Sequence, residues 1–468
     1  MLRILFRPKL ITSLIFIGFV QSSYAMDFEQ AWHTLLQSSD KLAANQANVD
    51  RSDALAKAAL SLYYPKVDLQ GSYTRLQKPV ALDLKDLEPI ASNPDLLHGL
   101  AGFGLDLSSI NTVTNFTEQD VTTSSIQALW PIFTGGKREA AIDIAREQGE
   151  SAKHLWQMER QVQFESLAKT YFAVVLAKQV VDVNQQVVDG LQAHYENALK
   201  LQQQGQIAYV ELLQAQASFD KAKVDQKKSQ RNYEITQLAL NDLIHQNGVH
   251  PTTPLFTQEQ FGQLHDYEHK TLEAYPGLAL LDSKQYQAKR VIDIEKAAYM
   301  PTVAAFGNYN VYKGDSLAAK VTPDWAVGVG ISIPLIDNSG RSEKVQAAHS
   351  LELQVRHLKS QAKRDLGLLV EKTFREASQA LEEYNGLKSS VTLAEENLRM
   401  RQKAFSQGLA TSVDVVDAQM FKASVNIQRQ AAAYQHVVAL AKLSAISSQV
   451  EQFSQFYRNA SLVQPPQS

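Results

Sequence analysis

Residues 325–333 read WAVGVGISI, and this stretch decides the fold. Bulky apolar residues alternate with small ones, which is the period of a β-strand with two different faces. Residues 67–74, 126–133 and 303–311 give three further strands of this kind. Each is about 10 residues long, the length of a tilted strand that crosses a bilayer. A soluble sheet with one wet face remains the alternative, because the barrel signal of a single strand is weak.

Long helices follow each pair of strands. Residues 132–250 and 335–464 contain no proline and are rich in strong helix formers. The segment 136–205 has about 70 residues and would form a helix of about 100 Å. Gly205 and Gly408 are predicted to be turns, each followed by a returning helix of roughly 40 residues. Such helices must pack side by side in a bundle or a tube.

The two halves of the chain repeat each other, which indicates a duplicated architecture. Three pairs of segments match in order: 63–67 with 299–303, 130–133 with 333–336, and 210–216 with 413–419. Gly136 precedes Gly205 by 69 residues, and Gly340 precedes Gly408 by 68. The predicted organisation is a signal peptide at 1–25, a first repeat at 26–250, a second at 251–450 and a C-terminal tail at 451–468. Loops are expected near 76–121 and 313–323.

The N-terminus has the layout of a secretory signal. Basic residues precede an apolar run at 10–20, and Ser23 and Ala25 are small residues at the positions that a signal peptidase reads. The run is too short to span a bilayer, so cleavage after Ala25 is favoured over a retained anchor. The mature chain is therefore expected to be exported without a transmembrane helix.

Composition excludes several classes of function. The chain has 46 basic and 49 acidic residues, so no positive surplus exists for binding nucleic acid. It has no cysteine, which excludes disulfides, thiol catalysis and thiolate metal sites. His265, Glu268 and His269 match an HxxEH-type zinc-protease pattern, but no third ligand is evident. We therefore predict neither an enzyme, nor a cofactor, nor a metal.

Four strands cannot close a membrane barrel, since about eight or more are needed. An open sheet edge in lipid leaves backbone groups unpaired, which costs several kcal/mol for each group. Further copies of the chain must complete the barrel, two giving eight strands and three giving twelve. We expect Val329 to face lipid and Gly328, across the pleat, to tolerate small polar residues. The alternative is an exported trimeric coiled-coil structural or adhesive surface protein, which leaves the strands unexplained.

The matched segments resemble the TolC-like outer-membrane efflux ducts of Gram-negative bacteria. The most specific parts are the strand-to-helix passages at 131–137 and 334–341 and the turn at 408–418, GLATSVDVVDA. The resemblance implies a mixed α/β membrane protein, a homotrimer whose twelve-stranded barrel lies in the outer membrane. A long α-helical coiled-coil barrel would continue it through the periplasm. As exit duct of a tripartite pump or one-step secretion system, it would contact outer-membrane lipid, a periplasmic adaptor and an RND, ABC or MFS pump.

The resemblance also assigns site residues at the far ends of the helices. The adaptor-binding tips would be Gly205, Gln206, Gly408 and Leu409. The pore aperture would be formed by Asp414, Asp417 and Glu211, where three-fold symmetry places the aspartates around one axis.

Two features qualify this assignment. Thr411 and Asp414 also fit a helix capping box, which explains Asp414 well and Asp417 poorly. A tyrosine and an arginine that latch the entrance of some relatives fall on Phe405 and Ala410. Glu211 stands where their acidic partner lies, so the latch is expected to differ or to be weaker.

Overall fold

The computed structural model describes residues 24–83, 113–336, 338–458 and 460–463. The helices are α1 Phe28–Ser38, α2 Asp40–Ala59, α3 Lys137–Gln203, α4 Tyr209–Leu243, α5 Leu264–Ala274, α6 Pro276–Ala297, α7 Leu317–Val321, α8 Arg341–Ser406, α9 Ser412–Ile446 and α10 Phe453–Arg458. Short 3-10 helices cover Leu60–Tyr63 and Val450–Gln452. Within these described ranges, no helix combines the length and the apolar character that crossing a membrane requires.

The strands are β1 Tyr24–Met26, β2 Lys66–Arg75, β3 Ala81–Asp83, β4 Val113–Asn115, β5 Asp120–Phe133, β6 Val249–Pro251, β7 Phe256–Thr257, β8 Thr302–Tyr312, β9 Trp325–Ser332 and β10 Ser461–Leu462. The four predicted strands are confirmed as β2, β5, β8 and β9. They form one antiparallel sheet in the order β2-β5-β8-β9. The central pair, β5 and β8, joins the two halves of the sequence, and β2 and β9 are the edges.

The predicted loops contain secondary structure of their own. At the base of the first, β3 pairs with β4 in an antiparallel ribbon, and the middle of that loop lies outside the described residues. The second contains helix α7, whose N-cap Ser316 accepts a hydrogen bond from the Ala319 N–H at 3.1 Å. Proline and glycine content signalled the loops, but three-residue strands carry too little periodicity to be recognised.

One face of the β8–β9 pair depends on glycine. Phe306 lies directly across from Gly328 in the register. A Cβ atom on Gly328 would lie 2.7 Å from the Phe306 ring, so even a small side chain forces that ring to move. Phe306 is about half exposed, so its ring has room to move, and the expectation that Gly328 tolerates small polar residues remains a prediction. The alternation of large and small residues along β9 did not show that a neighbouring ring fills the space above the small ones.

Equivalent arginines mark the two passages from strand to helix. Arg138 Nη1 donates to the Pro131 carbonyl at 2.8 Å, and Arg341 Nη1 donates to the Pro334 carbonyl at 3.1 Å. Each guanidinium also lies over a tyrosine ring, Tyr63 at 4.3 Å and Tyr299 at 4.7 Å. Each arginine precedes the next turn glycine by 67 residues, so the spacing of the repeat is equal when arginines are compared. The match through Gly136 and Gly340 is one residue out of register.

The chain divides into two compact units, and each takes segments from both predicted repeats. One comprises Val49–Ala152 and Leu281–Leu358 and contains the four-stranded sheet. The other comprises residues up to Asn48, Lys153–Leu280 and residues from Lys359 onward. The predicted repeat boundaries at 26–250 and 251–450 remain predictions, as does the tail at 451–468.

An aromatic core stabilises the second of these units. Phe28 packs edge-on against Phe164 and Tyr171, with ring centroids 5.7 and 5.4 Å apart. The Tyr171 hydroxyl donates to the Met26 carbonyl at 2.7 Å and accepts hydrogen bonds from the N–H groups of Thr252 and Thr253. Buried aromatic pairs and a fully satisfied hydroxyl fix the start of the described chain on the long helices.

Strand β1 overlaps the predicted signal-peptide cleavage site. Tyr24 and Ala25 pair in parallel with Val249 and His250 of β6. Cleavage after Ala25 would leave only Met26 of this strand, which keeps the Thr252 N–H and Tyr171 hydroxyl contacts on its carbonyl. The cleavage site stays a prediction, and residues 1–23 of the signal peptide lie outside the described part.

Candidate functional site

The two predicted turns close the two long hairpins with the same backbone geometry. Gly205 has φ of 72° and Gly408 has φ of 71°, the left-handed conformation that glycine adopts without strain. At the first, Gly205 N–H bonds the Gln202 carbonyl and Gln206 N–H bonds the Leu201 carbonyl. The predicted turns are confirmed.

The second turn repeats this pattern. Gly408 N–H bonds the Phe405 carbonyl at 3.0 Å, and Leu409 N–H bonds the Ala404 carbonyl at 2.9 Å. Both turns are therefore Schellman motifs, in which two N–H groups after the helix satisfy its last carbonyls. Gln206 is exposed and Leu409 is 78% exposed, so both tips present side chains to the surroundings.

The helix after the second turn has a complete N-terminal cap. Thr411 Oγ1 accepts from Asp414 N–H at 3.3 Å, and Asp414 Oδ2 accepts from Thr411 N–H at 2.9 Å. The pKa of the Asp414 carboxyl is below its usual value, first because of the Thr411 N–H bond to Oδ2, then because the Thr411 hydroxyl donates to the same oxygen at 2.7 Å and Arg401 Nη1 lies at 3.1 Å. The capping interpretation of Asp414 is confirmed, whatever further role the residue has.

Asp417 has a different environment. It lies one turn further along α9, is exposed and takes no part in the cap. It lines a cavity of about 200 Å³ together with Met420 of the same helix and residues of α3 and α4, among them Lys221 and Asp225. The two predicted aperture aspartates thus lie on one helix but have different surroundings.

The first tip lacks a cap of its own. Ala208 occupies the N-cap position of α4 in an extended conformation and offers no side-chain acceptor. Glu211, in the first turn of α4, instead reaches the other hairpin. Its Oε2 accepts the backbone N–H of Ser412, the first residue of α9, at 2.6 Å. A carboxylate at a helix N-terminus is electrostatically favourable, and Ser412 is completely buried.

His194 also contacts Ser412, and the sequence analysis did not predict a role for it. It lies on α3, is 6% exposed, and its Nε2 is 2.7 Å from Ser412 Oγ. Its ring packs edge-on against Phe405 of α8 with centroids 4.5 Å apart. Burial lowers the pKa of His194 to about 4, and the charge of Glu211 opposes this shift.

The sequence carried one signal for this position. His194 lies three residues after Leu191 and four before Ala198, both buried, so it falls on the apolar seam of α3. Phe405 is buried as well, and Ala410 packs against the same apolar cluster. The two positions that depart from the family's latch residues are therefore apolar contacts here. We name the contact set of His194, Glu211, Phe405 and Ser412 the tip junction.

The zinc-protease pattern lies on helix α5. His269 Nδ1 is 3.5 Å from Glu273 Oε2, one turn further on, and both side chains are exposed. Among the described residues, no group of three histidine or acidic side chains is arranged to hold a metal ion. In the described structure, His265, Glu268 and His269 are therefore not arranged as a metal site.

Comparisons with known proteins agree with this architecture. The family model of the outer membrane efflux protein matches residues 31–244 and 269–448. Protein CyaE of Bordetella pertussis is 22% identical over 260 residues, 53% of this chain and 54% of its own length. The chain thus spans about half the length of that curated relative.

The fold is similar to those of solved outer-membrane proteins. The structure of CusC has a TM-score of 0.73 at 14% identity, covering 91% of this chain and 93% of its own. VceC of Vibrio cholerae has a TM-score of 0.70 at 15% identity, covering 90% and 96%. The open state of the Neisseria gonorrhoeae MtrE channel has a TM-score of 0.68 at 16% identity, covering 90% and 89%.

Proposed function

The chain belongs to the outer membrane efflux protein family, and on that premise we propose that it is the outer-membrane exit duct of a tripartite efflux pump or one-step secretion system. One observation carries the proposal: a four-stranded sheet with two edge strands occurs in the same chain as two long helical hairpins. The duct conducts passively and performs no chemistry. The alternative, an adhesive coiled-coil protein, leaves the paired strands and the duplicated halves unexplained.

A homotrimer follows from surfaces that one chain leaves uncovered. Edge strands β2 and β9 need partners in lipid, and three copies supply a twelve-stranded barrel. Helix α4 also exposes apolar side chains along its length: Val210, Leu213, Val224, Ile235 and Leu238. Exposed apolar faces of this size mark contact surfaces, and a second copy of the chain is the occupant we assign.

The sheet face bearing Val329 contacts outer-membrane lipid in this proposal. Val329→Arg places a charge there at a cost of about 2–4 kcal/mol near the midplane. Ala326→Arg, on the same strand but the opposite face, is the matched control. Membrane-assembled trimers, counted by gel shift after outer-membrane isolation, should be lost only with Val329→Arg. Equal loss or equal tolerance contradicts a lipid-facing assignment.

The helices lie in the periplasm, and the hairpin tips are the entrance. Asp414, Asp417 and Glu211 supply the carboxylates of the aperture, and three copies bring six aspartates around one axis. Such a ring attracts cations and repels anions. Asp414 carries two roles in this proposal, since its cap bonds leave it charged near the axis.

Gly205, Gln206, Gly408 and Leu409 form the surface that meets a periplasmic adaptor, which connects the duct to an inner-membrane pump. No atom lies within 4 Å of a Cβ atom placed on either glycine, but both have a positive φ, so any side chain there strains the backbone. Replacing either with a bulky residue should abolish export while trimers still reach the membrane. Persisting export contradicts the docking role.

Planar-bilayer recordings test the duct itself. The purified trimer should form a small, cation-selective pore that divalent cations block. Changing Asp414 and Asp417 together to Ala should remove the selectivity and the block, whereas Asp189→Ala, an exposed acid on α3, should change neither. A double variant that retains both properties shows that these aspartates only start a helix.

A further inference from the structure

His194 lies where both hairpins meet. It belongs to α3, contacts Phe405 of α8 and Ser412 of α9, and shares Ser412 with Glu211 of α4. All four long helices therefore contribute to the tip junction. Phe405 belongs in turn to an apolar cluster with Leu212 and Val415, which leaves the imidazole an apolar wall on one side.

From this geometry we propose that His194 is a proton-operated switch, which joins the two hairpin tips when neutral and releases them when protonated. The proposed change in tip geometry is supported by the contacts of the tip junction and needs no assumption about transport. As a regulator of transport the switch rests on the proposed duct function.

The physical cause is the placement of a full charge in a buried site. A neutral imidazole satisfies Ser412 Oγ with one nitrogen and presents an apolar ring to Phe405. An imidazolium retains that hydrogen bond but must lose its hydration while it faces Phe405. Burial of an ionised group without full compensation is unfavourable, so the proton favours separated helices.

The charged groups near the His194 ring determine whether its neutral or its protonated form is favoured. Glu211, from α4, favours the imidazolium, but its Oε2 is held by the Ser412 N–H. From α9, Asp414 is paired with Arg401 of α8, and these two opposite charges offset each other. Burial outweighs the attraction of Glu211, which is why the pKa of His194 falls to about 4.

The pH window follows from the sign of this shift. In the separated state the pKa returns to the ordinary 6.5, and in the joined state it is about 4. The junction is fully stable above pH 6.5 and weakens as pH falls towards 4. Between pH 7.5 and pH 5, the ratio of separated to joined tips should rise about 30-fold.

A second buried histidine shows how a merely structural one is held. His436 is held by two main-chain groups. Its Nδ1 donates to the Ala377 carbonyl at 2.8 Å, and its Nε2 accepts from Gln258 N–H at 3.2 Å. Both ring nitrogens are engaged by main chain. His194 is different because its side-chain partner belongs to the other hairpin.

Spin-label distances across the tips test the switch without any transport measurement. The chain has no cysteine, so Gln206→Cys and Leu409→Cys place a label on each exposed tip. Full-length trimers with labelled protomers diluted among unlabelled ones are measured by pulsed EPR at pH 7.5 and pH 5. The intra-protomer distance should lengthen and broaden at pH 5.

Two further variants decide which group titrates. His194→Gln keeps a hydrogen-bonding side chain that cannot be protonated in this range, so its distance distribution should be the same at both pH values. His154→Gln, elsewhere on α3, should respond like the parent protein. The proposal is overturned if the parent does not respond, if His194→Gln responds in full, or if His154→Gln also removes the response. Absence of conductance would count against the duct and leave the distance result intact.

Discussion

The two hairpin tips share a backbone and differ in almost every side-chain contact. Both turn through a glycine with φ near 71° and both start a helix of 35 residues. At equivalent positions, Asp414 caps its own helix, whereas Glu211 caps the helix of the other hairpin. The two turns therefore have the same backbone geometry, but the equivalent acidic residues Glu211 and Asp414 bond to different helices.

The returning helices α4 and α9 also differ, in how many of their residues are buried. Helix α9 has nineteen buried residues, and α4, of equal length, has five. Helix α9 is thus largely covered within one chain, whereas α4 leaves an apolar face exposed. Glu211 links α4 to the first turn of α9, and Leu212 of α4 and Val415 of α9 belong to one apolar cluster beside it.

Glu211→Ala should have the largest effect on this asymmetry. It leaves the buried Ser412 N–H without its acceptor, which costs about 2 kcal/mol. Hydrogen-exchange mass spectrometry should show faster exchange in peptides from both tips, because the link joins them. Glu211→Gln, which keeps an acceptor oxygen, should recover part of the protection. Faster exchange in the first tip alone would mean that the hairpins are independent.

Gly205→Ala and Gly408→Ala should have the next largest effects, and equal ones. Each forces an alanine into the left-handed conformation at about 1.5 kcal/mol, with no neighbouring atom to clash. Exchange should quicken at the altered turn alone. A marked difference between the two variants contradicts the equivalence of the turns.

Thr411→Ala should weaken only the second tip. Loss of an N-cap costs about 1 kcal/mol, and the first tip has no such cap to lose. Because the pKa of Asp414 is lowered in the folded state, its contribution is present above its ordinary pKa of 3.8 and fades as pH falls below it. Protection of the second tip that is unchanged by Thr411→Ala would show that the cap is dispensable.

Arg401→Ala should have the smallest effect. Its ion pair with Asp414 is partly exposed to solvent, and ion pairs of this kind contribute little to stability. Raising the salt concentration should reproduce the small loss of protection in the parent protein and add nothing in the variant. A loss as large as that of Thr411→Ala would assign the pair a structural weight that its exposure does not support.

The backbone structure of the two hairpins was predictable from the sequence, but the side-chain contacts between their tips were not. Strand alternation around Val329 and the proline-free helical segments follow local periodicity, and a glycine after a helix signals a turn. The cap of Asp414 is equally local, since Thr411 lies three residues away. These features depend on neighbours within one or two helical turns.

The tip junction depends on distant pairings. Glu211 and Ser412 are 201 residues apart, and His194 and Ser412 are 218 apart. No periodicity within one helix shows which residue of another helix packs against it. The position of the Phe306 ring beside Gly328 was not predicted for the same reason, since alternation along one strand does not show which residue lies across from it on the next strand.

Conductance of Glu211→Ala trimers in planar bilayers is the most direct test of the proposed duct and its narrow entrance. In the proposed duct, the tip junction, to which Glu211 contributes, keeps the entrance narrow. The parent should give small, uniform conductance steps, and Glu211→Ala should give larger steps at pH 7.5, with Asp189→Ala as the unchanged control. Steps of equal size in parent and variant, or no steps from the parent trimer, would contradict this proposal.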